Sequence, residues 1–176
     1  KLIEQKARPV ILTRGYKSGL SRLDFIVLEN GFITLQNTKK KKIFADEAKM
    51  QSLSLPSIPV VVGRKRTKAA QWFLLNSNYK PTHWILDDGF QHRKIKRNID
   101  IVLIDSRRKP NIKLLPAGFY REPLSSLKRS HHVLLTYSQT SKYLEEWKLE
   151  LQKRKLSFFE VLESSTLWPS FEKKKL

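Results

Sequence analysis

Short, uninterrupted apolar runs recur along this chain, separated by amphipathic or polar stretches. Pro9-Val10-Ile11-Leu12-Thr13, Pro59-Val60-Val61-Val62, Trp84-Ile85-Leu86, Ile101-Val102-Leu103-Ile104 and Val133-Leu134-Leu135 are each about one strand long and aliphatic or β-branched. Runs that are continuous rather than alternating predict strands covered on both faces. Between the second and third runs, Arg64 to Asn76 predicts a helix that buries Ala69, Ala70, Trp72, Phe73 and Leu74. Further on, Ser141 reads as an N-cap with Glu145 and Glu146 in the first turn. Leu144, Trp147 and Leu151 mark one face of that helix, and Lys153, Arg154 and Lys155 suit its C-terminal dipole. Strands alternating with helices predict an α/β fold with a mostly parallel sheet.

One segment departs from that rhythm. Phe25–Glu29 and Phe32–Gln36 flank Asn30-Gly31, a dipeptide suited to a type I′ turn, in which both central residues take positive φ. An antiparallel hairpin at about residues 24–37 is therefore expected, inserted between the first parallel strand and the next helix. Lys39 to Lys42 reads as a solvated loop beyond it, and Phe171–Leu176 as a ragged end. Lys1 to Lys6 reads as the last turn and a half of a helix, which leads us to expect a βα unit upstream of this chain. No internal repeat and no low-complexity tract is visible.

Composition adds bounds. The 176 residues carry 35 Lys+Arg against 16 Asp+Glu, a net charge of +19. The excess is spread evenly, +9 over residues 1–88 and +10 over 89–176, so it is no basic tail. Charge of this kind suits anionic partners, whether nucleic acid, a phospholipid surface or a phosphorylated small molecule, and equally suits a solvated basic surface. With no Cys, disulfides, Cys-ligated zinc and thiol catalysis are excluded. No run approaches the roughly 20 apolar residues that a membrane helix needs.

The strongest chemical signal is Trp84-Ile85-Leu86-Asp87-Asp88-Gly89-Phe90-Gln91-His92. A hydrophobic strand ending in Asp sets a carboxylate at the carboxyl edge of a parallel sheet, where open α/β folds bind ligands. In phosphoryl-transfer enzymes that position orients Mg²⁺ and its waters. Asp and Gly also make ordinary strand-to-turn junctions. After the Ile101–Ile104 strand, Leu115-Pro116-Ala117-Gly118 leads to Arg121-Glu122-Pro123, a charged pair between two prolines that is either a site or a surface ion pair. Asp46-Glu47 is either a general base near an acceptor hydroxyl or the acidic opening of a helix. Arg14-Gly15-Tyr16 is a strand-end turn or a phosphate contact. His83, His92, His131 and His132 lack metal-ligand spacing, and GxSxG, GxGxxG and the Walker-A pattern GxxxxGK[ST] are absent from the sequence.

In order along residues 1–137, these pieces resemble the tetraacyldisaccharide 4′-kinases, the lipid A 4′-kinases of Gram-negative bacteria. That family carries SRGY, GDEP, a strand followed by an Arg-bearing helix, DDGxQH and LPAGxxREP. Here they correspond to Thr13-Arg14-Gly15-Tyr16, Ala45-Asp46-Glu47-Ala48, Val60-Val61-Val62-Gly63-Arg64-Lys65-Arg66, Asp87-Asp88-Gly89-Phe90-Gln91-His92 and Leu115–Pro123. The resemblance implies a P-loop kinase fold for residues 1–137, followed by the start of a helix–strand segment over 138–176. It implies transfer of the γ-phosphoryl of ATP, with Mg²⁺, to the 4′-hydroxyl of a tetraacyldisaccharide 1-phosphate. The setting it implies is the cytoplasmic face of the bacterial inner membrane, an anionic surface.

Position by position, Asp46 matches the family's catalytic base, and Asp87 and Asp88 its Walker-B-like carboxylates. Glu122 matches the acidic residue near metal and phosphates. Arg14, Glu47, Arg66, Gln91, His92 and Arg121 match motif positions that imply substrate or phosphate contacts. The chain departs from the pattern in three places. Ala45 and Ala48 replace the Gly and Pro of GDEP; no GGxGKTP P-loop lies between Lys1 and Leu176; and the DHH segment is absent, since His131-His132 comes too early to replace it. The 176-residue stretch alone is thus expected to lack kinase activity. Two other readings are a non-catalytic paralogue and a nucleic-acid-binding module, the latter suggested by runs such as Arg93-Lys94-Ile95-Lys96-Arg97. No helix-turn-helix, RNP motif or zinc finger supports the nucleic-acid reading, so no such partner is expected.

Overall fold

The apolar runs become strands, and the direction of each side chain decides which helix covers it. The computed structural model describes residues 2, 4–40, 43–110 and 113–161, so the Phe171–Leu176 end and Lys41-Lys42 lie outside the described residues. Two compact units divide the chain, Lys1–Ile95 and Lys96–Leu176. The division falls inside the 1–137 stretch because the strands on either side of it belong to different sheets.

In the first unit the strands are β1 (Pro9–Thr13), β2 (Ile26–Glu29), β3 (Phe32–Gln36), β4 (Val60–Val62) and β5 (His83–Leu86). They form one sheet in the order β3-β2-β4-β1-β5, with α1 (Asp46–Ser54) and α2 (Arg66–Asn76) as its helices. β1 pairs in parallel with both β4 and β5. Alternation along the strands sorts the core into two layers. Ile11, Val60 and Val62 pack with Ile26, Leu28 and the Ala48 of α1. Val10, Leu12 and Val61 pack with Val27 and with Ala69 and Phe73 of α2. Both faces of β1 and β4 are thus covered, which is why every residue of these strands is buried.

The Asn30-Gly31 turn joins β2 and β3 antiparallel, with φ of 49° and 80° at its two residues. β2 also pairs antiparallel with β4, Ile26 opposite Val62, so the hairpin continues the main sheet. A register shift between Val27 and Leu28 bends it, and the Gly31 N–H donates to Ser52 Oγ of α1 at 2.9 Å.

Trp84 and Ile85 of β5 are exposed, and among the described residues β5 is the last strand of this sheet. The opening residues form turns: Lys6 takes φ of 58° and the Ala7 N–H reaches back to Leu2 O, the backbone motif that closes a helix C-terminus. Lys1 and Ile3 lie outside the described residues.

The second unit holds a separate parallel sheet of β6 (Ile101–Asp105), β7 (His132–Thr136) and β8 (Phe158–Glu160), in that order. α3 (Leu144–Lys153) lays Trp147 and Leu151, both fully buried, against Ile104, Leu127, Val133 and Leu135. The Trp147 indole satisfies its N–H on Arg108 O at 2.6 Å. Among the described residues β6 is the first strand of this sheet, and its Ile101 and Leu103 are exposed. Ser141 does not cap α3; Tyr143 holds that position without a side-chain cap bond. Ser141 Oγ instead donates to Ser106 O at 2.6 Å and accepts the Tyr143 N–H, tying the loops after β6 and β7 together. At the end of β6 the Arg107 guanidinium donates to both oxygens of Asp105 and holds that carboxyl below its usual range, and it also lies over the Tyr137 ring, 3.5 Å away.

Candidate functional site

Register assembles the site in the first unit. Thr13 lies opposite Val62 and Leu12 opposite Leu86, so β1, β4 and β5 end at one level. The segments that follow them, Arg14-Gly15-Tyr16, Gly63-Arg64-Lys65 and Asp87-Asp88-Gly89, therefore leave the same carboxyl edge, the ligand-binding edge of open α/β sheets. Gly15 has φ of 66°, and a Cβ there would stand 2.3 Å from Val62 Cγ1, so the turn after β1 needs glycine. Arg14 beside it is exposed.

The Asp87-Asp88 turn is braced from two helices. Arg66, in the first turn of α2, is 3% exposed, and its Nη2 donates to Asp87 O at 2.8 Å and to Asp88 O at 3.0 Å. Those bonds hold the backbone of a turn in which Asp88 takes φ of 45°, a left-handed conformation that Asp tolerates better than most side chains. From α1, Gln51 Nε2 donates to Asp87 Oδ2 at 2.9 Å. The brace leaves Asp87 half-buried and Asp88 exposed at the edge. The chain then turns again, the His92 N–H donating to Gly89 O at 2.8 Å, which keeps half-buried His92 and exposed Gln91 close behind the carboxylates.

Asp46 and Glu47 open α1, where acidic side chains favour the helix dipole. The helix leads within a few residues into β4, which enters from the amino edge, so the α1 N-terminus points toward the carboxyl edge. Asp46 is exposed and makes no hydrogen bond or ion pair among the described residues. An uncommitted carboxylate is what a general base needs.

Arg121 and Glu122 belong to the second unit. There Glu122 accepts from Arg129 Nη2, and Arg121 is exposed. The loop that carries them is closed by the Leu115 N–H on Tyr120 O, and Gly118 sits where a Cβ would meet Lys113 O at 1.9 Å. Among the described residues no group of three or more His, Asp or Glu could hold a metal. Mg²⁺ is commonly held by one or two carboxylates plus waters and phosphate oxygens, and the adjacent pair Asp87 and Asp88 fits that habit.

Sequence reasoning missed Gln51. A glutamine in the second turn of a helix looks like any solvated polar residue, and nothing in its neighbours marks it.

Comparison with known proteins agrees with the geometry. The sequence model of the tetraacyldisaccharide-1-P 4′-kinase family matches residues 1–171. The chain is 36% identical over 138 residues to the tetraacyldisaccharide 4′-kinase of Halothermothrix orenii, covering 77% of this chain and 34% of that protein. It is 39% identical over 145 residues to the Elusimicrobium minutum kinase, covering 78% of this chain and 36% of that one. The crystal structure of LpxK from Aquifex aeolicus in complex with ATP superposes with a TM-score of 0.62 at 23% identity, over 99% of this chain and 68% of that chain. The chain thus spans little more than a third of the length of these sequence relatives, while the structural match shows that it shares the fold of that crystal structure. A matching family model over nearly its whole length means that the chain belongs to the tetraacyldisaccharide-1-P 4′-kinase family.

Proposed function

We propose that this chain serves an ATP-dependent kinase that phosphorylates the 4′-hydroxyl of a tetraacyldisaccharide 1-phosphate, in lipid A biosynthesis. The observation that carries this is the braced Asp87-Asp88 turn at the carboxyl edge, with uncommitted Asp46 on the helix that approaches the same edge. Asp46 takes the proton of the sugar hydroxyl as it attacks. Asp87 and Asp88 are the residues that would hold Mg²⁺, which when bound neutralises charge on the β- and γ-phosphates of ATP. Arg14 at the same edge serves the phosphates or the anionic acceptor.

We place the work at the cytoplasmic face of the bacterial inner membrane. The net charge of +19 suits an anionic lipid surface, and no helix among the described residues is long and apolar enough to cross a membrane. The relatives do not favour the nucleic-acid reading of that charge.

Asp46→Ala in the full-length protein tests the assignment. A general base contributes about 10²–10⁴-fold to rate and little to ground-state binding. We expect kcat to fall at least about 10²-fold while KM for ATP stays within a few-fold. Near-normal kcat would remove Asp46 from the mechanism.

A further inference from the structure

Gln51 lies in none of the motifs, yet among the described residues it is the side chain hydrogen-bonded to the Asp87 carboxylate. The chemistry of the pair fixes which way the amide points. An ionised carboxylate only accepts, so the NH₂ end must face Asp87. The oxygen end then faces elsewhere, and Gln51 Oε1 is buried with no hydrogen-bond partner among the described residues. A buried acceptor without a donor is costly, and a Met or Leu of similar size would pack here without that cost.

We propose that Gln51 is a positioning residue for the metal-binding carboxylate. Its Nε2 pins one oxygen of Asp87 and leaves Oδ1 for a cation that would bind there. The proposal rests on reading Asp87 as a metal carboxylate. It also explains why the two working parts of the edge stay in step: Gln51 and Asp46 share one nine-residue helix, five positions apart, about 140° around its axis. Asp46 can thus face solvent and substrate while Gln51 reaches inward to Asp87.

The test is Mn²⁺ binding to the full-length protein with a non-hydrolysable ATP analogue, followed by electron paramagnetic resonance. The variants are Gln51→Met, Asp87→Asn and the double variant. We expect Gln51→Met to weaken Mn²⁺ binding about 3- to 10-fold, the range expected for a residue that orients a metal ligand, without lowering the melting temperature. In the Asp87→Asn background the same change should do nothing further, because the residue acts through that carboxylate. Should Gln51→Met fold poorly, Gln51→Asn keeps the amide but is one methylene too short and should show the same loss. Wild-type Mn²⁺ affinity in both Gln51 variants, with affinity lost in Asp87→Asn, overturns the role of Gln51 and leaves Asp87 standing. An equal loss from Gln51→Met in both backgrounds also overturns it, since the effect would then come from packing. Unchanged affinity in Asp87→Asn removes the metal reading itself.

Discussion

Arg66 is the buried strut of the site, and replacing it with Met separates its hydrogen bonds from its bulk. Met fills a similar volume, so the packing against α2 is largely kept. Among what disappears are two charge-assisted hydrogen bonds, at 2.8 Å to Asp87 O and 3.0 Å to Asp88 O. Each such bond contributes about 1.5–3 kcal/mol, a gross loss of about 3–6 kcal/mol. Asp88 is exposed and Asp87 half-buried, so water can reach the freed carbonyls and the net cost belongs near the lower end, about 3 kcal/mol. Set against the 5–15 kcal/mol of a typical domain, that is a large share. Urea unfolding of the full-length protein, followed by tryptophan emission, reads it directly, because Trp72 and Trp84 both report on the first unit. With m of about 1–3 kcal/mol/M, the midpoint of that transition should fall by about 1–3 M. Lys at this position has one ammonium instead of a planar fork, so Arg66→Lys should recover only part of the loss. A midpoint for Arg66→Met within about 0.3 M of wild type, at unchanged m, would mean that the two bonds do not hold the turn.

Two glycines offer a controlled comparison. Gly15 combines φ of 66° with a Cβ position 2.3 Å from Val62 Cγ1, whereas Gly19 has φ of 74° and open space. Gly19→Ala should cost about 1 kcal/mol from backbone strain alone, and Gly15→Ala clearly more; equal losses in thermal melts would remove the clash from the account. Asp105 supplies a pH dependence. Its pKa is lowered from 3.8 by hydrogen bonds from Arg107, so the pair's contribution is present above the unfolded-state pKa and is lost as pH falls through the lower folded value. Wild type should therefore exceed Asp105→Ala in stability at pH 6 and lose that margin below about pH 4, with salt shrinking it throughout. A margin that stays constant to pH 2 would show that the ion pair is not its source.

How much of this was legible depends on what each residue had to signal. Val60-Val61-Val62 announced itself because a strand covered on both faces needs no polar position, and Asn30-Gly31 because few dipeptides accept two positive φ values. Trp84-Ile85-Leu86 and Ile101–Ile104 also became parallel strands, though Trp84, Ile85, Ile101 and Leu103 are exposed. Composition records that a strand is apolar, but whether it lies at a sheet edge is set by pairing, which is non-local. Ser141 carried the right chemistry for a cap, and competition from Ser106 O and the Tyr143 N–H decided otherwise. At the site, Asp46, Asp87 and Asp88 stood out through their motifs. Arg66 could be picked out, but its burial under the Asp turn could not. Gln51 was invisible, since its importance lies wholly in a contact made 36 residues away in sequence.

The placement of β1 at the heart of the first sheet has a consequence for synthesis on the ribosome. Ile11 finds Val60 and Pro9 finds His83, partners 49 and 74 positions further along. At about 5–20 residues per second, the last of these partners is made about 4–15 s after the strand it must join. Until β4 is made, about 2–10 s after Ile11, Pro9–Thr13 is a nascent apolar β-segment without either parallel neighbour described here, of the kind that chaperones hold or aggregates recruit. The β2–β3 hairpin needs no such wait, because Ile26 and Gln36 are only ten residues apart. It can close within microseconds of emerging and stand as a preformed edge, onto which β4 docks before β1 is drawn in.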